Sequence, residues 1–253
     1  MELAHRRFGH ASDERIKHLT EAAKGIENSS KERNFCETCA HAKSRKQPRS
    51  KPTRPFEIIS SDIKGPFLVT STEGFSYFVT YNCLYSTWTW IKFLKHKSAE
   101  EVLNATKMFI TDAQSETKLR MTTFLTDNGS EYVNSQMSFF LLQKNIKHQK
   151  TVPHSPQQNG QAERRNQTIM NMVRCALIEA KLPYSFWPFA VQYSTYTLNR
   201  LPTRRIEWKT PYELWMGTKP EVKQIYPLDA LLTLTSSLLY EIPYNQHQLN
   251  ANS

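Results

Sequence analysis

The stretches FEIISSDIKGPF (56–67), FSYFVTYNCL (75–84) and WTWIKFL (88–94) decide the fold. Each is short, apolar or alternating, and rich in aromatic and β-branched residues, and the TSTEG segment (70–74) between the first two has the composition of a turn. Side chains of a strand point alternately to its two faces, so these three read as consecutive β-strands joined as a meander.

Downstream, Ser98-Ala99-Glu100-Glu101 has the Ser-x-x-Glu spacing of a capping box, and Val102, Leu103, Met108, Phe109 and Ile110 continue the helix it opens. Met121 to Leu125 reads as a fourth strand, cut off by Asn128-Gly129. A helix over 135–145 carries Met137, Phe139, Phe140 and Leu142, and a short strand follows near 147–152. Pro153 and Pro156 make the next stretch a loop. From about Asn159 the chain turns helical, with Ile169, Val173, Ala176, Leu177 and Ala180 on one apolar stripe. Pro183 interrupts, and another helix spans roughly 185–199. Three strands, a helix, a strand and further helices describe an α/β fold, a mixed sheet covered by helices on its faces.

The 253 residues suffice for one main domain with smaller appendages. With 33 Lys and Arg against 23 Asp and Glu the net charge is +10, which favours an anionic partner. No run of 18 apolar residues is present and the N-terminus lacks the apolar stretch of a secretory signal, so a soluble intracellular protein with no membrane partner is expected. Four cysteines are too sparse for a disulfide framework, and Cys83 and Cys175 read as buried thiols.

Five segments follow from these changes of character. Residues 1–42 hold two close pairs, His5 with His10 and Cys36 with Cys39, separated by 25 residues. Imidazole and thiolate suit tetrahedral zinc, and metal binding would supply folding free energy to so small a module. His18 and His41 compete as ligands, and two exposed histidines with two reduced thiols are the plainer alternative. Residues 43–55, KSRKQPRSKPTRP, have six basic residues, three prolines and no acid, and read as an extended linker. The core proper occupies 56–202, an extension 203–222, and a tail 223–253.

Three acids stand out within the core. Asp62 lies inside the first strand among apolar neighbours, where a charge is expensive unless paired or bound to metal. Asp127 falls at the end of the fourth strand, where an Asx turn before Asn128-Gly129 explains it equally well. Glu163 is read in the first turn of a long helix, where stabilising the helix dipole is a sufficient role. Converging at one sheet edge, the three would ligate hard divalent cations through oxygen. Two such ions about 3.5–4 Å apart can activate an attacking oxygen and stabilise a leaving one.

Asp62 and Asp127 are 65 positions apart and 35 residues separate Asp127 from Glu163. This resembles the D,D-35-E pattern of retroviral and retrotransposon integrases, as the His-His-Cys-Cys module ahead of it does. HRRFGHAS (5–12), DIKGP (62–66), TDNGSEY (126–132), SPQQNGQAERRNQTI (155–169), LPYSFWPFAVQYSTYTLNRLP (182–202) and TPYELWMGTKP (210–220) look like successive signatures of copia-type elements. The resemblance implies a ribonuclease-H-like core that inserts element cDNA into host DNA, using two magnesium or manganese ions on Asp62, Asp127 and Glu163, with zinc on His5, His10, Cys36 and Cys39. It also implies release from a Gag-Pol polyprotein, a homo-oligomer on the DNA ends, and a nuclear destination after a cytoplasmic virus-like particle.

The segment Pro153–Gln161 immediately precedes Glu163 and is expected to be a mobile loop against DNA. Ser155, Gln158 and Asn159 would bond phosphate or base edges, while Lys150, Arg164, Arg165 and Arg174 would neutralise backbone charge. A polar connector and a solvated basic helix face are the competing description. Trp88, Trp90, Trp187 and Trp215 read as core aromatics rather than base-stacking platforms. The tail beyond residue 223 departs from the copia-type pattern and is read as a frameshift product. Two functional classes are therefore expected: an active strand-transfer enzyme, or an inactive remnant that binds zinc and nucleic acid at most. A ribonuclease or other polynucleotidyl transferase would leave the zinc module and the signatures unexplained.

Overall fold

The computed structural model describes residues 6–8, 36–42, 52–150, 156–223 and 225–230, and for 40–42 and 156–161 the backbone alone. The chain divides into two units, Met1–Ser50 and Lys51–Ser253. In the first, a short helix α1 (Glu37–Ala42) follows Cys36 and contains Cys39. His5 and His10, and with them the ligand set expected for zinc, lie outside the described residues.

The second unit is built on five strands: β1 (Ile58–Lys64), β2 (Tyr77–Cys83), β3 (Thr89–Leu94), β4 (Thr123–Thr126) and β5 (Lys147–Lys150). Their order across the sheet is β3-β2-β1-β4-β5. The first three form the expected antiparallel meander, with Asp62 opposite Thr80 and Thr80 opposite Ile91. β4 and β5 join parallel to β1, Ser60 pairing with Leu125. Parallel addition needs crossovers, supplied by α2 (Ala99–Thr117) before β4 and α3 (Ser135–Gln143) before β5. Helices α4 (Pro156–Glu179), α5 (Trp187–Arg200) and α6 (Pro211–Met216) complete the unit.

Local chemistry accounts for these boundaries. Ser98 caps α2, its Oγ accepting from the Glu101 backbone N–H at 3.2 Å. The Glu101 carboxylate reaches past the N-cap amide that a capping box would use, accepting from the His96 and Lys95 amides, two and three residues before Ser98, at 2.7 Å. Asn134 caps α3 through Met137 N–H, and Thr210 caps α6 with Pro211 at the first helical position. Gly65 leaves β1 at φ 133°, and a Cβ there would sit 2.6 Å from the Ser76 carbonyl oxygen and from the Tyr77 ring, so DIKGP needs its glycine for space as well as conformation.

The alternation read from the strands sorts into two cores. Val79, Tyr81 and Cys83 of β2 face α2 and α3, where Phe109, Ile110, Met137 and Leu141 meet them. Phe78 faces the other way, against Ile169 and Val173 of α4 and Trp187 of α5. Residues of the 203–222 segment belong to the first core. Trp215 of α6 stacks on Trp88 with ring centroids 5.8 Å apart and meets Phe56 edge-on at 5.9 Å. Buried aromatics of this size each carry about 3–5 kcal/mol of stability against truncation. All four tryptophans read as core residues are buried; the fifth, Trp208, is exposed.

Three expectations need correction. The helix expected from about Asn159 begins at Pro156, so 156–161 is helical rather than loop, and Glu163 lies about two turns in rather than in the first turn. Proline supports this start because its fixed φ and missing N–H suit a first helical position. Cys175 is exposed, on the side of α4 away from the Ile169–Val173 stripe, whereas Cys83 is buried as expected. No helix among the described residues is long and apolar enough to cross a membrane.

Candidate functional site

Three elements bring the three acids towards one another. Asp62 is the fifth residue of β1, Asp127 follows the last residue of the adjacent β4, and Glu163 is carried on α4, which packs across β1. The Asp62 carboxyl is pushed up to about 6, first by burial and then by the negative charges of Asp127 and Glu163. Two contacts oppose that rise, the larger from Asn166 and the smaller from the Ile63 backbone N–H. Asn166, one helical turn beyond Glu163 and itself buried, donates from Nδ2 to Asp62 Oδ2 at 2.8 Å. Asp127 makes the Asx turn foreseen as its structural role, accepting from Gly129 N–H at 3.0 Å. That bond engages Oδ1 and coexists with the charge Asp127 exerts on Asp62.

The TDNGSEY segment packs around this edge. Tyr132, fully buried, shares a 2.7 Å hydrogen bond with Ser61 next to Asp62, and burial raises its phenol well above the ordinary value. Glu131 is buried and ion-paired with Lys97 at 2.7 Å. That pairing holds the Lys97 ammonium above its usual range, helped by the charges of Asp127 and Asp62. Gly129 fits tightly here, since a Cβ at this position would meet the Glu131 carboxylate. Sequence reasoning missed Asn166, Lys97 and Glu131; Glu131 lies within the TDNGSEY signature and Asn166 within SPQQNGQAERRNQTI, whereas Lys97 had no signal.

All three acids offer oxygen, the donor type that hard divalent cations take. The rise at Asp62 comes first from burial and then from the negative charges of Asp127 and Glu163, and a cation would offset that second part. The donor chemistry therefore fits such an ion. Among the described residues, however, no three His, Cys, Asp or Glu side chains are grouped closely enough to enclose one.

The residues expected at DNA are distributed unevenly. Lys150 ends β5 and is exposed, as are Arg164 and Arg174 on α4, with Arg174 donating to Asn171 Oδ1. Ser155 lies outside the described residues, and Gln158 and Asn159 are helical with side chains not described. Arg165 is tied into the fold, unlike the solvated helix face that was the competing description. Its Nε donates to Thr89 Oγ1 at 2.8 Å and its Nη2 to the Thr87 carbonyl at 2.7 Å, fastening α4 to the β2–β3 hairpin. Burial, followed by the charge of Arg205, lowers it to about 10.

Comparison with known proteins agrees with this architecture. The integrase core domain family matches residues 52–156, a range that includes Asp62 and Asp127 but stops short of Glu163. The chain is similar to the retrovirus-related Pol polyprotein from transposon TNT 1-94 of Nicotiana tabacum, 33% identical over 221 residues and 85% of this chain. It is also similar to the corresponding polyproteins from transposons RE1 and RE2 of Arabidopsis thaliana, at 29% identity over 98% of the chain and 30% over 86%. It spans only 16%, 17% and 15% of the lengths of these three polyproteins.

Among solved structures, a chain of the simian T-cell lymphotropic virus intasome in complex with PP2A regulatory subunit B56 gamma aligns with TM-score 0.54 and 18% identity, over 75% of this chain and 67% of that one. The dimeric form of the HTLV-2 integrase catalytic core domain in complex with magnesium aligns at 0.50 and 19%, over 64% of this chain and 98% of that one. At such identities the likeness shows the fold, the ribonuclease-H-like mixed sheet flanked by helices. The chain is thus a member of the integrase core domain family, related to one part of the Pol polyproteins of plant retrotransposons as its copia-type signatures implied.

Proposed function

We propose that this chain joins the 3′ ends of element cDNA to host DNA by cation-dependent strand transfer, with Asp62, Asp127 and Glu163 at the reacting phosphate. The observation that supports this best is the placement of the three acids on β1, at the end of the adjacent β4 and on α4, which packs across β1. In the reaction the 3′-oxygen of the element end bonds to a target phosphorus and the target's own 3′-oxygen departs. The proton lost by the first oxygen is balanced by one gained by the second, and the number of phosphodiester bonds is unchanged.

The chain's residues have separate tasks in this scheme. Asn166 orients Asp62 from α4. The Lys97–Glu131 pair and the Tyr132–Ser61 bond hold the segment after β4 against β1. Lys150, Ser155, Gln158, Asn159, Arg164, Arg165 and Arg174 contact the DNA backbone or bases. Magnesium or manganese held by Asp62, Asp127 and Glu163 would neutralise charge developing on the attacking and leaving oxygens. The fold neighbour in complex with magnesium supports this choice of ion. His5, His10, Cys36 and Cys39 would hold a structural zinc, which one equivalent of zinc in the purified chain, lost on Cys39→Ser, would support. The wider reading is release from a Gag-Pol polyprotein, assembly as a homo-oligomer on the DNA ends, and passage from a cytoplasmic particle to the nucleus.

The deciding experiment is strand transfer of labelled duplex ends into a second duplex with Mg²⁺ or Mn²⁺. Products from the wild-type chain that disappear in Asp127→Asn support the enzyme. An absence of wild-type products supports a second reading, a remnant that only binds zinc and nucleic acid, which the lack of a closed ligand group among the described residues favours.

A further inference from the structure

Beside the acids, and separate from them, lies a cleft of about 260 Å³ with an unusual charge content. Arg164, Arg165 and Thr168 line it from α4, Ser60 from β1, and Thr203 and Arg205 from the turn that follows α5. No Asp or Glu is among its lining residues. Arg205 lies within the electrostatic reach of both Arg164 and Arg165. Three guanidiniums so placed repel one another, a cost the fold bears without an acid in the cleft to relieve it. Their internal contacts leave capacity for a ligand: a guanidinium has five N–H donors, of which Arg165 commits two groups to Thr87 and Thr89, while Arg205 reaches only the Leu84 carbonyl, at 3.4 Å. Of the hydroxyls around the same space, those of Ser60 and Thr168 already donate to the Asn82 and Arg164 carbonyls, while that of Thr87, buried without a hydrogen-bond partner, adds a neutral donor.

Position adds the second argument. Ser60 and Asp62 are two residues apart on β1 and share a face, which separates them by about 7 Å at the usual strand rise. Glu163 and Arg164 are consecutive on α4. An anion in the cleft therefore lies one or two residues from the acids along both elements.

We propose that the Arg164–Arg165–Arg205 cleft is a seat for a nucleic-acid backbone phosphate, gripping the strand beside the phosphodiester that the acids face. The assignment of DNA as substrate rests on the function proposed above, but the cleft itself is recognised from its own charge and donors. It gives the segment after α5 a binding role that its sequence, LPTRRIEWK, did not suggest.

The test is equilibrium binding of the full chain to a fluorescent linear duplex and to a covalently closed circular duplex, each over a range of salt. Neutralising one phosphate contributes about 0.9 to the slope of log K against log salt, so Arg164→Gln/Arg205→Gln should lower that slope by about 0.9. Affinity should fall about fivefold or more. Arg204→Gln, an exposed neighbour outside the lining, should leave the slope at its wild-type value. Thermal melts establish that each variant is folded, and Arg164→Gln alone, on an exposed side chain, provides a second route if the double variant is not. A loss confined to the linear duplex assigns the seat to DNA ends; a loss on both assigns it to duplex backbone in general. An unchanged slope in the double variant, an equal loss in Arg204→Gln, or no binding by the wild type overturns the proposal. Strand-transfer products from a variant with an unchanged slope would leave the enzymatic reading standing while the cleft fails. A lowered slope without wild-type products would do the reverse.

Discussion

Asn166 on α4 and Asp62 on β1, 104 positions apart, are joined by a 2.8 Å hydrogen bond in which the amide donates to the carboxylate. The bond ties the element carrying Glu163 to the strand carrying Asp62, and is the one favourable side-chain contact offsetting the burial of that acid. Replacing Asn166 by Leu keeps the branching at Cγ and removes the donor. Transfer rate should fall about 10–100-fold, the usual consequence of removing a group that orients a ligand. DNA affinity should stay within about twofold, because no phosphate contact is lost. Single-turnover rates measured on saturating DNA check this, and a variant that fails by losing DNA affinity at unchanged rate contradicts a positioning role.

Asp62 should be a liability to the protein without its cation. Its carboxyl is buried among like charges, so Asp62→Asn, which retains an acceptor for Asn166, should stabilise the chain in EDTA at neutral pH. The expected gain is on the order of 1–2 kcal/mol, from the upward shift at Asp62 reduced for its partial exposure. Adding Mg²⁺ should raise the melting temperature of the wild type and not that of Asp62→Asn, since only an ion bound to the folded state stabilises it. A variant that melts lower than the wild type in EDTA would show that the carboxylate contributes net stability.

Much of the second unit was legible because its signals are local. Period-two strands, a Ser-x-x-Glu cap and one apolar stripe on a helix follow from residues within a dozen positions of each other. The start of α4 was not, because two prolines and a glycine suggest a loop, and only Pro156 at a first helical position is compatible with helix. Cys175 was misplaced although the helical period that buries Ile169 and Val173 puts it on the opposite side. At the site, the positions of the acids were legible through their spacing, but their electrostatic neighbours were not. Arg164 and Arg165 are indistinguishable as sequence. Only the fold brings Thr87 and Thr89, 78 and 76 positions away, to the second of them.

That difference between adjacent arginines should appear as a difference in stability. Thr87 holds φ at 61°, an uncomfortable conformation for a β-branched residue, and the Arg165 Nη2 bond to its carbonyl secures it. Arg165→Met retains the aliphatic stem and removes both bonds, which should cost about 1–3 kcal/mol. Arg174→Met, on an exposed side chain, should leave the melting temperature unchanged. Urea titrations of the two variants decide the matter; equal midpoints would mean that Arg165 does not fasten the hairpin.

His148 on β5 should make stability depend on pH in a definite direction. Its Nε2 lies 2.9 Å from Thr126 Oγ1, its ring stacks on Phe124 with centroids 6.0 Å apart, and burial, then the charge of Lys150, lowers its proton affinity. The unfolded chain therefore binds a proton at His148 at higher pH than the folded chain. Stability from this group is complete above the ordinary histidine value of about 6.5 and is lost as pH falls through the lower folded value. Asp62 acts in the opposite sense, because its folded carboxyl holds a proton up to about 6 and favours the folded state as pH falls. The comparison is cleanest in an Asp62→Asn background. There, lowering the pH from about 7.5 to about 5.5 should reduce the melting temperature more with His148 present than with His148→Gln, because only the former takes up a proton on unfolding. An equal or smaller reduction with His148 present would mean that the imidazole titrates alike in both states.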